Sequence, residues 1–244
     1  MIRGLATTAG LALAFSAGLY SATADAEEAV FNGFYLKGEA GASFGGDTGP
    51  ITVRDDGGTR AALDERDSDI AAVVGLGAGV ELAEFFRGEL LFGYRTGYGL
   101  DTELTEAIPG LPAKADIDSY SLFLNAYFDV VTLDLGGVSL TPYLGGGVGV
   151  AINDTGDVRF DTAGFTAIEL EGDTTTQFAW NAAAGLGIGV TESLTLEVGY
   201  RYVDLGRFKS GVDARQGATT AEFQKGVKGD LTAHEALVAL RYSF

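Results

Sequence analysis

The chemistry open to this chain is narrow. Its 244 residues hold one histidine, His234, and no cysteine. That excludes a thiol nucleophile, a thiolate metal site, a disulfide framework and any site built from several imidazoles. Three acidic runs, Asp55-Asp56, Asp64-Glu65 and Asp154/Asp157/Asp161, could gather Ca²⁺ or Mg²⁺. None has the spacing of a dedicated calcium loop, so solvated loop charges are expected there, with no metal site and no cofactor. Three glycine triplets, Gly75-x-Gly77-x-Gly79, Gly145-x-Gly147-x-Gly149 and Gly185-x-Gly187-x-Gly189, keep a strict period of two. A phosphate loop needs the GxGxxG spacing and a helix behind it. The period of two instead suggests a bare wall, leaving room for side chains that reach across from elsewhere.

Nine charged residues share that same period. Lys37, Glu39, Arg87, Glu89, Arg95, Glu197, Arg201, Glu235 and Arg241 all fall on the polar phase of alternating segments, five positive and four negative. An unpaired buried charge costs several kcal/mol, so groups sharing one interior must be nearly neutral overall. The expected arrangement is a packed salt-bridge plug; the alternative is a narrow polar channel running between the same groups.

The elements that would position these residues are strands. In the first, Phe34, Leu36, Gly38, Ala40 and Ala42 share one face, and Tyr35, Lys37, Glu39, Gly41 and Ser43 the other. The split recurs near residues 70–80, 86–95, 119–129, 143–150, 177–190, 194–202 and 235–244, which makes eight segments. The links after the odd-numbered segments are long (45–66, 97–116, 152–175, 204–232), and those after the second, fourth and sixth are short (82–85, 130–139, 191–193). Long loops on one rim and short turns on the other predict an all-β fold, an eight-stranded antiparallel up-and-down transmembrane β-barrel. A soluble barrel would carry dense Lys, Glu, Thr and Gln on its second face, yet that face is mostly Gly, Ala, Ser and Asn. Aromatic residues on the apolar face gather near segment ends, at Phe34, Phe86, Tyr94, Tyr120, Phe128, Phe178, Tyr200, Tyr202, Tyr242 and Phe244, where interfacial girdles belong.

Charge and the first residues set the surroundings. A formal charge of −18 argues against nucleic acid as a partner, since phosphate neutralisation needs a basic surface. About half of it lies on the long links, at −2, −3, −5 and +1 in chain order, where it serves solubility or binds divalent cations that bridge to lipopolysaccharide. Arg3, the apolar stretch from Leu5 to Leu19, and the small residues Ala22, Ala24 and Ala26 read as a cleaved secretory signal over 1–26, leaving a barrel domain over 27–244.

Ser121-Leu-Phe-Leu-Asn125-Ala-Tyr127-Phe-Asp129, Pro142-Tyr143-Leu-Gly145-Gly-Gly147-Val-Gly149, Phe178-Ala-Trp180, Tyr200-Arg201-Tyr202 and the terminal Leu240-Arg-Tyr242-Ser-Phe244 appear in this order along the chain. In these motifs the chain resembles the small outer-membrane-protein β-barrel family of porin-like surface antigens, alphaproteobacterial in type, over roughly residues 31–244. The resemblance implies a Gram-negative outer membrane with both termini periplasmic, and contact with outer-membrane lipid and lipopolysaccharide. It also implies that Tyr242 and Phe244 form the signal read by the outer-membrane assembly machinery. The role expected is structural or surface-interacting in the cell envelope with a plugged lumen, or alternatively a low-conductance porin-like channel for small solutes. No enzyme is expected: lipid A deacylases of this size class carry a His-x-Ser pair, whereas the run here is His234-Glu235-Ala236.

Overall fold

Alternation of β-branched, aromatic and leucine residues with Gly, Ser and Asn suits a pleated wall that is apolar on one side only. The computed structural model describes residues 33–44, 52–54, 60–62, 70–104, 111–160, 168–209, 213–216, 219–222 and 228–244. Eight long strands form the wall: β1 (Gly33–Phe44), β2 (Ala71–Ala83), β3 (Phe86–Leu104), β4 (Leu111–Asp129), β5 (Ser139–Thr155), β6 (Asp173–Gly189), β7 (Leu194–Lys209) and β8 (Lys228–Ser243). Each pairs antiparallel with the next. β8 returns to β1 in a register running from Tyr35↔Ser243 to Phe44↔His234. The sheet is closed, so the wall satisfies its own backbone without an edge, as a strand structure inside a bilayer must.

The two phases separate cleanly. Phe34, Leu76 and Phe178 are 67%, 70% and 67% exposed on the outside, whereas Tyr35, Phe123 and Arg201 are 1%, 0% and 2% exposed on the inside. Turns on one rim are tight: Glu84-Phe85 after β2, and Val190–Ser193 after β6, where the Thr191 hydroxyl accepts from the Ser193 and Leu194 amides. The link after β4 holds a short strand, Leu133–Asp134, folded back on Leu140 and Ser139, with Gly136 and Gly137 at φ +67° and +99° making the bend.

The other rim differs from the sequence reading. The link expected over 97–116 is largely strand, because the β3–β4 ladder continues from Tyr98↔Ile117 to Leu104↔Leu111 beyond an irregularity after Arg95. Gly97, at φ +83°, sits in that bulge. A bulge slips the alternation by one residue, so a strict period-two reading stops there although the strand does not. Inside the links expected over 152–175 and 204–232, β5 and β7 run on to Thr155 and Lys209, and Val158–Phe160, Ile168–Leu170, Asp213–Gln216 and Thr219–Glu222 pair side by side into the same sheet. Thr52–Arg54 and Arg60–Ala62 form a separate hairpin. The signal expected over 1–26 lies outside the described residues.

Candidate functional site in the lumen

The lumen is where chemistry-bearing side chains converge, and strand register decides which of them meet. Even positions of β1 face out and odd positions face in, which puts Tyr35, Lys37, Glu39 and Ser43 inside. The same parity brings Arg87, Glu89 and Arg95 inward from β3, Glu197 and Arg201 from β7, and Glu235 and Arg241 from β8, each at most 9% exposed.

These groups form two chains of contacts, stacked along the barrel. In the outer chain, Arg95 donates to Glu235 at 2.5 Å, and Glu235 also accepts from Arg201 at 2.6 Å. Arg201 reaches Glu39 at 2.7 Å; Lys37 lies 3.6 Å from Glu39 and 2.7 Å from Glu89. Three cations face three anions, so this tier is neutral. In the inner chain, nearer the short-turn rim, Arg87 is held by both oxygens of Asp129 at 2.9 and 2.8 Å and by Glu197 at 3.1 Å. Glu197 also accepts from Arg241 at 2.9 Å, and Arg241 reaches Glu81 at 3.0 Å. Two cations face three anions there, leaving one negative charge, and Glu81 at the rim end is the most exposed of them with a third of its side chain in the open.

Tyrosines tie the tiers together. The Tyr127 hydroxyl donates to Glu89 at 3.2 Å and sits 3.4 Å from the Lys37 ammonium. The Arg87 guanidinium lies 5.1, 5.5 and 5.9 Å from the ring centres of Tyr127, Tyr143 and Tyr35, all cation–π distances. Arg95 gives a further bond to Ser121 at 2.8 Å, and Asn181 donates to Asn125 at 2.9 Å. The space left among Lys37, Glu39, Tyr127, Tyr143, Glu197 and Arg201 is a cavity of about 20 Å³. That is room for about one water molecule.

Sequence reasoning did not include Glu81, Asp129 or the three tyrosines among the network residues. Asp129 stood on the inward phase of its strand, and one more step of alternation past Gly79 reaches Glu81, so both had a signal. The expected use of the glycines is corrected. The room beside Gly79, Gly145 and Gly185 is taken by Tyr35, Tyr127 and Tyr143, which are their register partners on the adjacent strand, not side chains from across the barrel. Packing an aromatic over a cross-strand glycine is the same device that rescues glycines in designed sheets.

His234 stands on the outer face. Its Nδ1 shares a hydrogen bond with the Tyr200 hydroxyl, and its ring packs on Tyr200 and Tyr202, with Trp180 next to Tyr202 at 5.4 Å. Trp180 donates its indole N–H to Asp204 at 3.2 Å. This is a girdle cluster. Among the described residues no three His, Cys, Asp or Glu side chains are placed to hold a metal ion. Asp154 accepts from Thr174 and Asp157 from the Gly172 amide; Asp55, Asp56, Asp64, Glu65 and Asp161 lie outside the described residues. Tyr242 and Phe244 point outward at the short-turn rim with their rings 5.2 Å apart.

A closed eight-strand barrel with an apolar, aromatic-rimmed exterior and an ionic interior is the architecture of an outer-membrane β-barrel. The chain belongs to the outer membrane protein beta-barrel domain family, which matches residues 9–244, and its place is the outer membrane of a Gram-negative bacterium. Among solved structures it is similar in fold to the outer membrane protein OprG of Pseudomonas aeruginosa, at 16% identity and TM-score 0.59, over 87% of this chain and 96% of that one. It is also similar to the outer membrane protease OmpT of Escherichia coli, at 12% identity and TM-score 0.52, over 89% and 99% of the two chains. At such identities the likeness is one of fold alone. An uncharacterized protein of Brucella abortus is 25% identical over 87% of this chain and 85% of its own.

Proposed function

We propose that this protein is a non-conducting, non-enzymatic barrel with a structural or surface-interaction role in the cell envelope. One observation carries the reading: the two ionic chains bridge β1, β3, β7 and β8 across the lumen, and the cavity among Lys37, Glu39, Tyr127, Tyr143, Glu197 and Arg201 measures about 20 Å³. A hydrated ion crossing these chains would have to break salt bridges. In this reading residues 1–26 are a signal removed on export, both termini are periplasmic, and the long-loop rim meets lipopolysaccharide and the outside. Tyr242 and Phe244 are then the segment that the assembly machinery reads.

A second reading, a low-conductance channel for small solutes, draws on buried polar atoms that have no protein partner, among them Tyr35 Oη, Glu89 Oε2, Arg95 Nη2 and Arg201 Nη2. Such atoms favour water in the lumen. Single-channel recording of the purified protein in a planar bilayer separates the two. A closed baseline with at most rare small openings is expected, and a steady porin-like current would overturn the plug and promote the channel.

A further inference from the structure

We propose that the outer end of β7 is a strap that leaves the barrel wall, lies on the lumen side of β5 and β6, and closes the outer mouth as a second seal in series with the charge tiers. The inference builds on the closed lumen proposed above and adds a barrier made by buried apolar side chains.

The wall itself shows the departure. The β6–β7 ladder ends at Trp180↔Asp204, although β6 continues outward to Asp173 and β7 to Lys209. β7 stays with β8, whose ladder resumes at Arg207↔Asp230 after a bulge. Gly206 stands in that bulge at φ +76°, a conformation that other residues rarely adopt. Asp204 pins the point of departure: one carboxylate oxygen accepts from the Gly206 amide at 2.9 Å, and the other from the Trp180 indole of β6 at 3.2 Å.

Beyond that point the β7 carbonyls are met by side chains from inside the barrel. Asn153 Nδ2 donates to the Leu205 carbonyl at 2.9 Å, and the Thr175 hydroxyl donates to the Arg207 carbonyl at 3.0 Å. Asn153 belongs to β5, which is not a neighbour of β7 in the wall. Both donors are on the inward phase and buried, so carbonyls within their reach lie inside the wall. The Ser119 hydroxyl donates to Asn153 Oδ1 at 2.8 Å, which fixes the amide with its NH₂ toward Leu205. The packing agrees, since a Cβ at Gly206 would meet the Cβ of Gln177, an inward-phase residue of β6, at 2.6 Å.

The strap carries the fully buried Leu205 into the mouth, where it joins wall residues: Val203 of β7 and Ile117 of β4, both fully buried, and Leu231 of β8, 3% exposed. They stand outward of the Arg95–Glu235 pair. An apolar constriction blocks ions by excluding water and needs no counter-charge. Breaking the ionic tiers alone therefore leaves this barrier in place.

The test records four proteins in planar bilayers: the unaltered chain, Arg87→Ala/Arg201→Ala, which opens both ionic chains, Asn153→Ala/Thr175→Ala, and all four substitutions together. A steady current is expected from the combined variant only. If Arg87→Ala/Arg201→Ala alone conducts as well as the combination, or the combination stays closed, the strap is not a seal and the inference fails while the plug reading stands. If Asn153→Ala/Thr175→Ala alone conducts fully, the charge tiers are no barrier and both readings fail, as they do if the unaltered chain conducts. A cysteine test works without these variants, because the chain has no cysteine of its own. Leu205→Cys is expected to resist a membrane-impermeant maleimide added to intact cells, whereas Asp157→Cys, on the exposed outer rim, reacts. Equal labelling at the two positions would overturn the strap.

Discussion

At the scale of single residues, the lumen works by matching size across strands. Tyr35 lies against Gly79, Tyr127 against Gly145 and Tyr143 against Gly185, each pair set by the register. A methyl group at any of these glycines meets an aromatic ring with charged neighbours against it; the Tyr127 ring centre, for example, has Lys37 at 5.0 Å and Arg87 at 5.1 Å. Gly145→Ala is therefore expected to destabilise the barrel by about 1–3 kcal/mol through overpacking. Urea unfolding measures this, and an unchanged midpoint would mean that the ring moves aside freely. Nine of the eleven charged residues in the two tiers were legible, Glu81 and Asp129 being the two left out, because inward charges have no outward use in a lipid-facing strand. Their partners were not, since pairing across the lumen depends on barrel shear, and alternation within one strand carries no information about it.

At the scale of elements, alternation located all eight strands, because the bilayer imposes the same contrast of faces on every one of them. It misjudged their outer ends. Past Arg95 and past Asp204 the phase slips at bulges containing Gly97 and Gly206, and a slipped strand looks like a loop to any count of period two. The short-turn rim was read more accurately because its register shift between Glu81 and Ala83 comes only at the last pair before the turn, too late to displace the strand's alternation. The assignment of rims has a direct check: Ser193→Cys, in the turn after β6, should be shielded from an impermeant maleimide on intact cells and become reactive once the outer membrane is opened. Labelling on intact cells would invert the orientation. If Phe244 carries the assembly signal, its deletion should deplete the protein from the outer membrane, and normal levels there would assign the signal elsewhere.

At the scale of the whole molecule, the barrel couples a lipid-facing shell to an ionic core, and the core links strands that are not neighbours. Arg201 of β7 is the central link, joining Glu235 on β8 to Glu39 on β1 while fully enclosed. Glu235 in turn holds Arg95 on β3, so one guanidinium couples four of the eight strands. A pair in water would contribute almost nothing to stability, because solvent screens it. In a dry, packed lumen, removal of one partner leaves a buried charge uncompensated. The two cases differ most at this residue, and urea unfolding of Arg201→Ala distinguishes them most directly. A packed network predicts a loss of about 3–5 kcal/mol, seen as a clear fall in the unfolding midpoint. An unchanged midpoint would show that water solvates the stranded carboxylates, and would contradict the plugged lumen.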